Sequence, residues 1–212
     1  KEELIKQGKI KRDKKESVIF KGEDNSYYEK VGATIENIDN IIPFEIPENW
    51  SFVRLKELWE LLSGRDLSPS EYNDVHEGIP YITGASNFKN GKIDLVRWTS
   101  TPQVIAQKGD LLLTCKGTIG EMAFNTFGEA HIARQLMAIR NIYDLNSEYL
   151  SLCINFHIED IKASAKGLIP GISREDILNL ILPIPPESYQ KLIVARVIKS
   201  YHTLHTIEKG LS

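Results

Sequence analysis

The chain has little of what marks several classes of function. Its two cysteines, Cys115 and Cys153, are too few for a disulfide scaffold or for a zinc site of their own, and they suit a reducing compartment. No run of about 18 apolar residues occurs, so no helix is expected to span a membrane. The charged N-terminus lacks the apolar segment of a secretory signal. These absences point to a cytoplasmic protein. An excess of charge is missing too: 26 basic residues stand against 29 acidic ones, for a net charge of -3. A nucleic-acid partner would therefore need the basic groups gathered on one face. Residue 1 is Lys rather than Met, as expected for a piece of a longer chain.

Familiar catalytic signatures are also absent. Methyl transfer to a DNA base calls for an Asn/Asp-Pro-Pro-aromatic motif, but Pro185–Pro186 lie between Ile184 and Glu187. A phosphate loop fails because the glycines from Gly84 to Lys92 are spaced too widely and Ile93 stands where a hydroxyl is needed. No Ser/His/Asp or Cys/His order stands out, and Cys115 lies in an apolar run that reads as core. His202 and His205 fall at i, i+3, yet no carboxylate or thiol is expected at helical spacing to complete a ligand set with them. No catalytic residue, metal or cofactor is assigned.

What remains is an ordinary globular composition, 42% apolar and 26% charged. Residues 1–11 read as a helix end stopped by Gly8. Lys9 to Lys15 carry five basic groups, and Ser17 to Asn49, broken by Gly22, Gly32, Pro43 and Pro47, reads as an extended linker with short strands. Leu55, Leu58, Leu61 and Leu62 predict a helix over Ser51–Ser63. Short apolar runs follow at Ile79–Thr83, Val104–Ala106, Asp110–Cys115, Glu121–Asn125, Gln135–Asn141 and Leu180–Ile184. Glycine-containing turns separate most of them, which is the punctuation of a sheet. Glu148–Phe156 reads as a helix. Ser173 and Asp176 form a capping box that opens another.

After Pro185–Pro186 a long helix is expected to about Lys209. Ile193, Val197, Tyr201, Leu204 and Ile207 form its narrow apolar stripe, the pattern of a coiled-coil seam that seeks a partner helix. The fold class is thus α/β (α+β): a small mixed, mostly antiparallel sheet with flanking helices and a long protruding C-terminal helix. The segment Lys108–Asn125 has a turn, Lys116-Gly117-Thr118-Ile119-Gly120, that can offer N–H groups, a hydroxyl and an ammonium to a phosphate.

Several pieces in one order carry a resemblance. They are Ile46-Pro-Glu-Asn-Trp50 with Val53-Arg-Leu55, then Gly109-Asp-Leu-Leu-Leu-Thr114 with Lys116-Gly-Thr-Ile-Gly120. His131–Arg140, Gly167–Ser173 and Leu182-Pro-Ile-Pro-Pro186 with Gln190 follow. Together they resemble the specificity (S) subunit of type I restriction–modification enzymes, from about residue 44 to the C-terminus. The resemblance implies a helix end and linker at 1–43, a DNA target recognition domain at 44–186 and a conserved helix at 187–212. It implies a non-catalytic protein that reads one half of a bipartite site in double-stranded DNA. Methylation (M) subunits dock on such proteins, and restriction (R) subunits join through them. One recognition domain, where a full subunit has two, suits either half of a longer subunit or a half-subunit that pairs through its helices.

Loop residues able to contact DNA are then Arg65, Ser86, Asn87, Lys89, Asn90, Lys116, Thr118, Arg134 and Gln135. Arg and Lys match guanine edges, Asn and Gln match adenine, and Lys and Thr match phosphate. The competing expectation is a protein-interaction module that uses the terminal helix without reading DNA.

Overall fold

A computed structural model describes residues 2–8, 16–89, 91–143, 145–164 and 171–211. The Lys9–Lys15 run, Asn90 and residues 167–170 lie outside the described residues. The elements run α1 (Glu2–Lys6), β1 (Ser17–Lys21), β2 (Tyr27–Val31), β3 (Thr34–Asn37), β4 (Ser51–Arg54), β5 (Trp59–Ser63) and β6 (Ile79–Ile82). Then come β7 (Phe88–Lys89), β8 (Lys92–Ile93), β9 (Trp98–Thr99), β10 (Ile105–Ala106), β11 (Leu111–Thr114), β12 (Met122–Phe124), β13 (Ala130–Ile132) and β14 (Leu136–Asn141). The chain closes with α2 (Ser147–Ser164), α3 (Arg174–Leu178), β15 (Ile181–Ile184) and α4 (Glu187–Leu211). The fold is mixed α+β, and its ladders are antiparallel except β6 with β13. Two compact units result: unit 1 comprises residues 1–57 and 181–212, and unit 2 comprises residues 58–180. These boundaries differ from the 44–186 span read from the sequence.

In unit 1, the expected linker is a three-stranded meander, β1-β2-β3. The glycines that read as breakers make its hairpins. Gly22 donates its N–H to Ser26, and Gly32, at φ +62, provides the turn between β2 and β3. Tyr27, Ile38, Phe52 and Ile181 form the buried core, with Ile19, Ile42 and Ile46 against it. Tyr27 meets Phe52 edge-on at 5.4 Å. Beside this core, Arg54 donates to both carboxylate oxygens of Glu29, at 3.0 and 2.6 Å. The Ser17 hydroxyl bonds the same carboxylate, and the Ser17 N–H donates to Glu57.

The helix expected over Ser51–Ser63 is instead two strands joined by a single 3-10 turn, Leu55–Glu57. β4 pairs with β15, and β5 pairs with β14. In β5 the Trp59 and Leu61 side chains are buried, while Leu62 packs against the core of unit 2 from the other face. A strand covered on both faces shows apolar spacing that imitates a helix.

The core of unit 2 gathers Ile82, Ala106, Leu112, Ala130, Ile132, Leu136 and Ala138. A buried Asp110 carboxylate anchors it. That carboxylate accepts from Arg140 Nε and Nη2 at 3.2 and 2.8 Å and from the Gln107 N–H at 2.8 Å. α2 is longer than the expected helix, and the Ser173 cap of α3 forms as expected, its hydroxyl accepting from the Asp176 N–H. At the start of α4, the buried Gln190 amide donates to the Pro185 carbonyl at 2.9 Å. Along α4, Ile193 and Val197 are half-buried. Tyr201, Leu204 and Ile207 are 61%, 58% and 52% exposed.

Candidate nucleic-acid interface

The topology of unit 2 brings four loops to one end. β5 and β11 each run antiparallel to β14, so both finish beside the start of β14. β13 leads into that start through residues 133–135, and β6, parallel to β13, finishes there as well. Backbone bonds tie the loops together. Gly64 N–H donates to Leu136 at 3.0 Å, Arg65 N–H to Ile132 at 2.9 Å, Ala133 N–H to Ile82 at 2.9 Å, and Cys115 N–H to Gln135 at 2.7 Å. Gly64 is required for this approach, because a Cβ there would stand 2.1 Å from the Ala133 carbonyl oxygen.

A fully buried imidazole fixes the floor beneath these loops. His131 Nε2 lies 2.8 Å from the Arg65 carbonyl, and its Nδ1 takes the Gln103 and Val104 N–H groups at 3.3 and 3.2 Å. The pattern suits a neutral ring protonated on Nε2. Burial lowers its pKa, against the raising effect of its bonds to Arg65 and Val104. Tyr81 packs on the ring at 5.0 Å, and its hydroxyl accepts the Leu67 N–H at 3.3 Å. Burial pushes that phenol up.

The expected contact residues fall into three groups. Arg65, Ser86, Lys116, Thr118 and Arg134 are exposed on the converging loops. Arg65, Lys116 and Thr118 make no side-chain hydrogen bond or ion pair among the described residues. Gly117 and Gly120, at φ +74 and +88, shape the Lys116–Gly120 turn as expected, and Ile158 and Lys162 of α2 press on Gly120.

A second group is already engaged. Asn87 is 1% exposed. Its Oδ1 accepts from the Thr83 N–H and hydroxyl at 2.9 and 3.0 Å, and its Nδ2 donates to the Asp94 carbonyl at 2.8 Å. That is a correction: the amide holds the loop and has no edge left for a base. Lys89 sits on the β7–β8 hairpin, paired with Asp94 at 2.5 Å. Gln135 joins the cluster through its backbone, but its side-chain Oε1 is buried with no hydrogen-bond partner among the described residues. Asn90 lies outside the described residues.

The sequence reading missed Asp66. Its carboxylate meets both the backbone N–H and the guanidinium of Arg134, at 3.1 and 2.7 Å. The two positions are 68 residues apart, and no local pattern links them. A second correction concerns His205. Glu208 does stand one turn along α4, 3.9 Å away. Even so, no group of three or more metal-ligating side chains forms among the described residues. No described helix is long and apolar enough to cross a membrane.

Comparisons with known proteins agree with this architecture. The family described as "Type I restriction modification DNA specificity domain" matches residues 47–212. The chain is 27% identical to a putative type I restriction enzyme MjaX specificity subunit of Methanocaldococcus jannaschii over 161 residues, which are 72% of this chain and 37% of that protein. It is 22% identical to the type I restriction enzyme EcoEI specificity subunit of Escherichia coli over 217 residues, covering 92% and 33%. The crystal structure of the HsdS subunit from Thermoanaerobacter tengcongensis shares the fold, with a TM-score of 0.72 at 24% identity over 80% of this chain and 42% of that one. The chain therefore spans less than half the length of these relatives.

Proposed function

From the premise that the chain belongs to the type I restriction–modification DNA specificity domain family, we propose that it is a sequence-specific, non-catalytic DNA-binding subunit that reads one half of a bipartite site. Unit 2 does the reading. The observation that carries this is the convergence of Arg65, Ser86, Lys116, Thr118 and Arg134 on loops at one end of its strands. Among the described residues, the unpaired cations Arg65 and Lys116 and the hydroxyls of Ser86 and Thr118 suit phosphate and groove edges.

The helix α4 serves the other half of the function. Exposed Tyr201, Leu204 and Ile207 continue the stripe begun by Ile193 and Val197. Their cover is a helix of a methylation subunit or of a second copy, and restriction subunits join only through the methylation subunits. The cytoplasm is where such a complex meets DNA.

Selection from random duplexes, followed by salt titration, tests the DNA reading. For B-DNA, log K falls with log salt by about 0.9 per neutralised phosphate. A shallow slope of a few units is expected, and Lys116→Ala should reduce it by about one while weakening all duplexes alike. Failure to enrich any sequence, with α4 still binding methylation subunits, would leave a pure interaction module instead.

A further inference from the structure

Arg134 differs from the other exposed cations of the interface. Arg65 and Lys116 carry no counter-charge among the described residues, whereas Arg134 is gripped twice by one carboxylate. Asp66 Oδ1 accepts the Arg134 backbone N–H at 3.1 Å, and Asp66 Oδ2 lies 2.7 Å from Arg134 Nε. The Arg134 side chain is nonetheless 65% exposed. Among the described residues, its Nη1 and Nη2 donate no hydrogen bond.

A carboxylate in this place is a handicap for phosphate binding, because it cancels the charge that attracts the backbone and repels the phosphates themselves. What it supplies is orientation. An ion pair on the Nε side restrains the guanidinium and leaves Nη1 and Nη2 as the donors that remain for a ligand. Two such donors match the O6 and N7 acceptors of guanine in the major groove. The carboxylate is itself fixed through the Arg134 backbone. Its neighbour Arg65 is joined to Ile132 and His131, so the whole device stands on a rigid floor.

We propose that Asp66 is a positioning residue that presents Arg134 for bidentate contact with one guanine of the target, with Arg65 and Lys116 left to the phosphates. The inference rests on the DNA-reading function proposed above and adds the base and the residue that aims at it.

The full chain, and its Asp66→Asn, Arg134→Ala and doubly substituted variants, would be titrated on a duplex selected with the unsubstituted protein and on all its single-base changes. Arg134→Ala should remove about 10- to 100-fold of discrimination at one G·C pair. Asp66→Asn should remove much of it at that same pair, leave the other positions intact, and hold or raise affinity for unrelated DNA. The double variant should match Arg134→Ala alone, which no general loss of folding would produce. Loss at a different position, additive losses, or a fall in affinity for all duplexes alike would overturn the positioning role and leave DNA reading standing. If no sequence can be selected at all, both fall.

Discussion

Both units keep a carboxylate–guanidinium pair beside their cores, but the two pairs live in different surroundings. In unit 2 the Asp110 side chain is almost wholly enclosed, and Arg140 supplies two of the three bonds it accepts. In unit 1 Glu29 keeps some contact with water, and the Ser17 hydroxyl serves it beside Arg54. The difference lies in what remains when the guanidinium is taken away. An enclosed carboxylate loses its main compensation, while a partly wetted one retains some. Unit 2 is thus the more demanding structure.

Substitution of the two arginines is the sharpest way to break this contrast. Arg140→Ala should cost about 3–5 kcal/mol, the range for stranding a buried charge. Arg54→Ala should cost about 1–3 kcal/mol, because water reaches the Glu29 carboxylate that remains. Denaturant unfolding of each variant would measure the gap, and equal losses would erase the distinction drawn between the units.

Acid should separate the units next, by window more than by size. His131 has a lowered folded pKa, so the unfolded chain takes up a proton that the folded unit 2 resists. Its stabilising contribution is whole above about pH 6.5 and is lost as pH falls below that value toward the folded pKa. Glu29 is also lowered, chiefly by its bonds from Arg54. Its contribution is kept above about pH 4.3 and lost only below that. Protection of the Leu67 and Val104 amides, corrected for the intrinsic exchange rate, should therefore fall as pH drops below about 6.5, while protection at Ser17 and Tyr27 holds until stronger acid. Simultaneous loosening would contradict the neutral His131 floor.

The smallest effect on folding is expected at the exposed end of α4. Leu204→Asp with Ile207→Asp should change stability by no more than about 0.5 kcal/mol, as for other exposed positions. Sedimentation should at the same time show loss of self-association or of methylation-subunit binding. A large drop in melting temperature would mean that this stripe belongs to the fold of unit 1.

These contrasts also explain which parts of the molecule could be read in its sequence. The pieces that carried the resemblance turn out to be structural devices. Asp110 and Arg140 clamp the β11–β14 region, His131 ties two loops, Ser173 caps α3, and Gln190 pins the start of α4. Each is a local solution that needs particular residue types in a particular order, so it leaves a mark. The interface was legible only in outline. Turn geometry placed Lys116 and Thr118 correctly on an exposed loop, yet Asn87, with the same loop chemistry, is spent on its own backbone. Burial of an amide depends on what the rest of the chain brings against it. The Ser51–Ser63 helix failed for a related reason, since β14 and β15 arrive from far along the chain to claim β5 and β4 as strands.

The pairing of β4 with β15 has one more consequence. Arg54 stands opposite Ile181, so the chain departs for unit 2 and comes home at adjacent points of one small ladder. Seen from unit 1, the 123 residues from Leu58 to Leu180 are a cassette inserted between two neighbouring strand ends. Recombination that exchanges the cassette between these ends leaves the sequences of β4, β15 and α4 unchanged. A lineage built this way can exchange unit 2 in a single genetic event while the sequence of unit 1 stays as it was.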